Sequence, residues 1–147
     1  IVKWKRATVT NGIWEIDKHI KWQKDFSYKI NSTNPQVAYD KVNGRIFVAN
    51  ESQLLEVDLV NKTSKSINIS GGKPFIGVGS QLLYNSVTNK LISYSIEQKA
   101  ISIYDFALNQ WSDIEIKEQQ AFQHHNRYID EKRQRIITFG GYAFHLL

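Results

Sequence analysis

The sequence predicts an all-β protein assembled from a repeated unit of four short antiparallel strands. Three observations carry this. The stretch Tyr39-Asp40-Lys41-Val42-Asn43-Gly44-Arg45-Ile46-Phe47 aligns with Tyr84-Asn85-Ser86-Val87-Thr88-Asn89-Lys90-Leu91-Ile92, and both align with Ile129-Asp130-Glu131-Lys132-Arg133-Gln134-Arg135-Ile136-Ile137, at a constant offset of 45 residues without a gap. A second element repeats as Ile13-Trp14-Glu15-Ile16-Asp17, Leu54-Leu55-Glu56-Val57-Asp58 and Ile101-Ser102-Ile103-Tyr104-Asp105. Helical periodicity is nearly absent: the one candidate, Ile116-Lys117-Glu118-Gln119-Gln120-Ala121-Phe122, is short and uncapped, and reads as a polar loop between repeats.

Each copy of the first element runs from an apolar residue to Asp or Asn, a polar turn, a basic residue and an apolar run, which is the pattern of two strands joined by a tight turn. Asn43-Gly44 and Thr88-Asn89 supply the turns, and the basic residue opens the second strand. The second element is a strand closed by Asp17, Asp58 or Asp105, whose carboxylate suits a turn because it accepts hydrogen bonds from backbone N–H groups just beyond it. The best-defined copy therefore predicts strands at about 36–40, 45–50, 53–58 and 63–69.

Asn31-Ser32-Thr33-Asn34-Pro35 and Gly71-Gly72-Lys73-Pro74 are the clearest breakers, giving units at about 1–33, 36–71, 81–116 and 124–147. The middle two are complete; the first lacks its opening strand, and the last stops after two. Four-stranded units at this period predict β-propeller blades, about two complete and two partial, over residues 1–147 as one segment. Solenoids have shorter periods or need helices, and a small β-sandwich gives no reason for a gapless 45-residue register. Ile46-Phe47-Val48-Ala49 and Ile136-Ile137-Thr138-Phe139 are near-continuous apolar runs, as expected of strands sandwiched between neighbouring blades.

Composition narrows the chemistry. The 147 residues contain no Cys, which removes disulfides, thiolate zinc sites and cysteine nucleophiles, and no Met. A chain opening at Ile1 without Met is expected to be a piece of a longer polypeptide. No apolar stretch approaches the ~18–20 residues that cross a bilayer, so no membrane insertion is expected. The net charge of +5 is spread along the chain without interleaved aromatics, so nucleic-acid binding is not expected. Phosphate-binding glycine loops, nucleophile elbows and HExxH helices are absent, and no cofactor or metal is expected.

The residues from about 81 to 142 resemble the kelch-repeat family. Tyr104-Asp105 followed by Asn109-Gln110-Trp111 is similar to its Tyr-Asp turn and Asn-x-Trp, and His124-His125, Asp130, then Arg135 to Phe139 and Gly140-Gly141-Tyr142 are similar to its His, turn, apolar strand and Gly-Gly. The earlier repeats depart from the pattern: Asn50-Glu51 replaces Gly-Gly and Ser64 stands where Trp is expected. The resemblance implies a bladed propeller of the kind found in the central domain of galactose oxidase, with radial packing at the Trp and Gly-Gly positions. Trp111 and Trp22 then lie between blades, while Gly140-Gly141 ends a strand where the chain bends or takes positive φ.

Among candidates for function, His124, His125, Asn126 and Arg127 open an innermost strand in this register, where propellers often hold ligands at the channel or its mouth. Adjacent strand residues point to opposite faces, so the two His are not expected to share a metal, and the plainer expectation is packing against a neighbouring blade. The recurrence of Asp17, Asp58 and Asp105 argues for turns over an active site. The leading expectation is a non-catalytic module presenting loops to a protein or glycan. A carbohydrate-active enzyme of the kelch-propeller type and an extracytoplasmic sensory propeller are the alternatives; galactose-oxidase chemistry itself needs a Cys that these residues lack. Incomplete end blades are expected to pair with further chain or to self-associate.

Overall fold

The computed structural model describes residues 12–16, 22–27, 35–74, 80–95, 100–115 and 122–143, with 12–16, 22–27, 95, 122–125 and 139–143 described through their backbone. Every regular element among them is a strand. The chain divides into two compact units, Ile1–Asn31 and Ser32–Leu147. The first contains β1 (Gly12–Ile16) and β2 (Trp22–Ser27), an antiparallel hairpin in which Ile16 faces Trp22.

The second unit holds three sheets. β3 (Gln36–Asp40), β4 (Arg45–Ala49), β5 (Leu54–Asp58) and β6 (Thr63–Ile67) form a four-stranded antiparallel meander. β7 (Ser70–Gly71) leaves that sheet and joins the next one, running parallel to its last strand. That sheet contains β8 (Gln81–Asn85), β9 (Lys90–Ser95), β10 (Ala100–Asp105) and β11 (Gln110–Glu115) in the order β7-β11-β10-β9-β8. β12 (Phe122–Asp130) and β13 (Arg135–Ala143) make a two-stranded sheet. The strand bounds expected at 36–40, 45–50, 53–58 and 63–69 are met to within two residues.

One local device explains the strand ends. Asp40, Asp58, Asn85, Asp105 and Asp130 each close a strand, and each is paired with the residue five positions later, so that four residues make the turn. The side-chain Oδ1 accepts backbone N–H bonds from inside that turn: from Val42 and Asn43 at Asp40, from Val60 and Asn61 at Asp58, from Val87 and Thr88 at Asn85, from Ala107 and Leu108 at Asp105, and from Arg133 at Asp130. These bonds satisfy donors that the ladder cannot reach. The fourth turn residue is left-handed every time: Gly44, Lys62, Asn89, Asn109 and Gln134 have φ between 51° and 63°. Asn tolerates this region better than most residues, and here it gains a bond as well, because Tyr84 donates its hydroxyl to Asn89 Oδ1 at 2.9 Å and Tyr104 donates to Asn109 Oδ1.

The core lies where the two large sheets meet. Ala38, Phe47, Ala49 and Leu54 from β3–β5 pack against Leu82, Tyr84, Leu91, Tyr104 and Trp111 from β8–β11. Phe106 sits among the rings, with centroids 5.0 Å from both Phe47 and Tyr104. Trp111 is 1% exposed, as expected of a side chain between sheets. Full burial of an apolar side chain of this class stabilises by about 1.5–3 kcal/mol, so these aromatics dominate the contact. The run Ile46–Ala49 is buried on both faces, as expected, whereas β6 presents Thr63 to Ser66 to solvent.

Two expectations change. The run 136–139 is not buried on both faces: Ile137 is 38% exposed and Thr138 is exposed, because the sheet β12–β13 has a packed neighbour on one side only among the described residues. Gly140 and Gly141 do not end their strand. β13 continues through both to Ala143, with Gly140 facing His125 and Tyr142 facing Gln123.

Candidate functional site

β3, β8 and β12 are edge strands of their respective sheets, and they lie side by side in the 45-residue register. Between them is an open cleft of about 280 Å³, lined by residues 37–41 of β3 and its turn, 81–84 and 86, and 127–129 and 131. Equivalent positions of three repeats thus form one site, each repeat supplying one wall.

Side chains replace a ladder across the inter-sheet gaps. Gln81 accepts from Arg127 N–H at 3.0 Å through Oε1 and donates to the Arg127 carbonyl at 3.3 Å through Nε2. An amide side chain here does what a neighbouring strand would do for an exposed edge. At the turn end, Ser86 N–H donates to Glu131 Oε1 at 2.7 Å and Asn85 Nδ2 donates to Gln134 Oε1 at 3.0 Å. Towards β3, Arg45 donates to the Tyr84 hydroxyl at 3.3 Å and lies 5.0 Å over the Phe47 ring. Arg45 Nε is also 2.7 Å from Asp40 Oδ2, and Glu56 is a second carboxylate partner at 3.3 Å.

The recurring carboxylates are committed to structure. Burial alone would raise the Asp40 carboxyl, but hydrogen bonds from Asn43 and Arg45 outweigh it and hold the group below the usual carboxylate range. Asp58 is lowered by the backbone and side chain of Asn61, and Asp105 by Lys90 and then the Ala107 amide. At Asp130 desolvation opposes the bonds from Arg135 and Arg133, which win. A carboxylate held ionised in this way is a poor proton donor near neutral pH.

The cleft has a different character at its surface. Tyr39 and Tyr128 line it and are each 58% exposed, and Val37 is exposed beside Tyr39. Lys41, Ser86 and Glu131 occupy one equivalent position of the three repeats and put a cation, a hydroxyl and an anion around one rim.

Of the residues singled out from sequence, Asn126 is exposed on β12, beside the cleft-lining Arg127. Arg127 is 5% exposed, and its guanidinium carbon lies 4.0 Å over the Tyr94 ring. Burial lowers its pKa, and Tyr94 works in the opposite direction. Arg127 therefore packs under the site instead of reaching a ligand head-on. His124 and His125 occupy adjacent positions of β12, and their side chains lie outside the described residues, as do Asp17 and the side chain of Trp22. Asp58 and Asp105 cap turns. As candidates for function the sequence reading passed over Tyr39, Lys41 and Glu131, which lie inside the aligned repeat, and Gln81 and Tyr128, which flank it. Among the described residues no group of three or more His, Asp or Glu is placed to hold a metal ion, and no helix is long and apolar enough to cross a membrane.

No protein-family model matches the chain, and no curated protein matches it. The functional reading therefore rests on the cleft.

Proposed function

We propose that this chain is a segment of a kelch-like β-propeller and acts as a non-catalytic binding module, with a glycan seated in the cleft between β3, β8 and β12. The carrying observation is that three equivalent edge strands converge on one cleft whose exposed walls are Tyr39 and Tyr128 and whose rim carries Lys41, Ser86 and Glu131. Sugar rings have apolar C–H faces that suit exposed aromatic rings, and hydroxyls that suit a charged and hydroxylated rim. The commitment of Asp40, Asp58, Asp105 and Asp130 to turns favours binding over acid–base chemistry. Support for blades comes from the four-stranded antiparallel sheets, the 45-residue register and the side-by-side first strands.

A glycan array probed with the wild-type chain and with Tyr39→Ala and Tyr128→Ala tests this. Both rings are exposed, so both variants are expected to unfold like the wild type. Binding to at least one glycan class, reduced about tenfold or more in each variant, is the expected outcome, since losing one stacked ring costs on the order of 1–2 kcal/mol. Absence of glycan binding, or binding unaffected by both substitutions, overturns the glycan reading and leaves a protein partner to be sought.

A further inference from the structure

We propose that the turn end of the sheets docks onto an anionic phospholipid surface, setting aliphatic turn tips among the headgroups while cations beside them meet the lipid phosphates. Five turns, at 41–44, 59–62, 86–89, 106–109 and 131–134, lie at this end, and named contacts hold them together. Leu59 N–H donates to the Gly44 carbonyl at 3.0 Å, which joins the first two. Lys90 Nζ and Asp105 Oδ2, 2.9 Å apart, tie the bases of the next two. Across the gaps between sheets, Arg45 donates to the Tyr84 hydroxyl, which donates to Asn89, and Ser86 N–H donates to Glu131. The turns therefore form one continuous surface.

Among the described residues the four most exposed large hydrophobic side chains are Val60 at 75%, Leu108 at 70%, Val87 at 69% and Val42 at 68%, one on each of the first four turns. Single apolar residues scattered over a surface are ordinary. Four on successive turns of one end are not scattered, and turns ordinarily take polar residues there. The turns do not need them: the closing Asp or Asn caps the backbone in each case. Nor does the core, to which none of the four belongs. On the fifth turn the position of Val42 and Val87 holds Lys132. At the opposite end, the connection from β4 to β5 is Asn50-Glu51-Ser52-Gln53, without an apolar residue.

Shape and charge select the occupant. The tips stand singly, followed by Asn43, Asn61, Thr88 and Asn109, so a folded partner would need a matching hollow for each, whereas a headgroup layer yields around them. Lys41, Lys62, Lys132 and Arg133 are exposed on the same turns, against one acid, Glu131, which accepts the Ser86 amide. The strand-closing carboxylates are bonded to turn amides and stand opposite the strand-opening cations Arg45, Lys90 and Arg135, so the end is net positive. Apolar contact and attraction to anionic lipid add in such binding, and no spanning segment is required. None of the four tips lines the β3–β8–β12 cleft, so this docking does not depend on a glycan there and is read by separate experiments.

Sedimentation of the whole chain with vesicles tests this. Pelleting is expected with vesicles of phosphatidylcholine and phosphatidylserine, falling as salt is raised, and not with phosphatidylcholine alone. Val60→Ser combined with Leu108→Ser leaves the charge unchanged and is expected to weaken binding about tenfold or more, with urea unfolding as in the wild type. Lys62→Gln combined with Lys132→Gln is expected to weaken it by a similar factor and to flatten the salt dependence. The absence of Cys allows a second readout. A polarity-sensitive dye on Val87→Cys is expected to report an apolar environment when anionic vesicles are added, and the same dye on Glu51→Cys, at the opposite end, is expected not to respond. No pelleting with anionic vesicles, equal pelleting with neutral ones, undiminished binding by the serine pair, or equal dye responses at the two positions overturns the proposal and leaves a protein partner for the tips; if the serine pair does not fold, the two dye positions still decide.

Discussion

Gln81 and Arg127, 46 residues apart, are joined by a two-point bond in which one side-chain amide satisfies both backbone groups of a single residue on the neighbouring edge strand. This is the clearest physical link between successive sheets. Replacing Gln81 by Leu keeps the bulk and removes both partners, leaving two backbone groups of Arg127 unpaired. The expected loss is about 1–3 kcal/mol, read from urea unfolding, with Gln81→Asn failing to restore it because the shorter side chain does not reach.

Asp40 is 1% exposed and bonded to two turn amides, to Asn43 Nδ2 and to Arg45 Nε. Asp40→Ala is expected to lose about 2–3 kcal/mol, because hydrogen bonds to charged groups contribute about 1.5–3 kcal/mol each and part of the loss is recovered by solvent. The equivalent residue one repeat later is Asn85, which caps its turn with the same two amide bonds. Asp40→Asn should therefore keep the two turn amide bonds and lose the bonds that Oδ2 accepts from Asn43 Nδ2 and Arg45 Nε, showing a smaller loss than Asp40→Ala in the same assay.

Four turn carboxylates, at Asp40, Asp58, Asp105 and Asp130, are held below the ordinary value of 3.8 in the folded chain. The unfolded chain takes up protons first as pH falls, so the stabilisation is fully present above the unfolded pKa and is lost as pH drops through the lower folded values. Thermal unfolding should be nearly flat from pH 7 to pH 5 and then fall steeply below about pH 4. Asp58→Asn together with Asp105→Asn should shrink that acid-side drop, measured by the midpoint against pH.

Trp111 is buried with its indole Nε1 making no hydrogen bond. Its contribution is therefore packing, against Tyr104 at 5.2 Å between ring centroids and the surrounding core. Trp111→Ala is expected to cost about 3–5 kcal/mol. Trp111→Phe strands no donor and should cost clearly less, a contrast that chemical denaturation resolves.

The turns and strand bounds were legible because they are local. An Asp or Asn, four turn residues and a returning strand satisfy their own backbone within a few positions, and the spacing survives in the sequence. The burial of Ile46–Ala49 was legible for the same reason, since four consecutive apolar residues leave no polar face. What escaped depends on neighbours far along the chain. The parallel pairing of Ser70–Gly71 with Gln110–Trp111 carries no local signal. Nor does the seating of Arg127 over Tyr94, since nothing around position 127 announces an aromatic ring 33 residues earlier. Gly140-Gly141 misled because glycine permits a bend without requiring one, and here the chain stays extended through both. The cleft was half legible: the register already held Tyr39, Lys41 and Glu131, but only as strand and turn residues, and it was not extended to Gln81 and Tyr128.

Each turn brings its own fastener, a side chain that caps it and a residue that accepts left-handed geometry, while the bonds between sheets differ from one junction to the next: Arg45 with Tyr84 at the first, Gln81 with Arg127 and Ser86 with Glu131 at the second. An in-frame duplication of residues 36–80 would consequently insert a unit that closes its own turns, with Gln36 and Lys41 standing where Gln81 and Ser86 stand in the next copy. A lineage built this way can lengthen by copying and then diversify the junctions between sheets, without reworking the turns that close each strand pair.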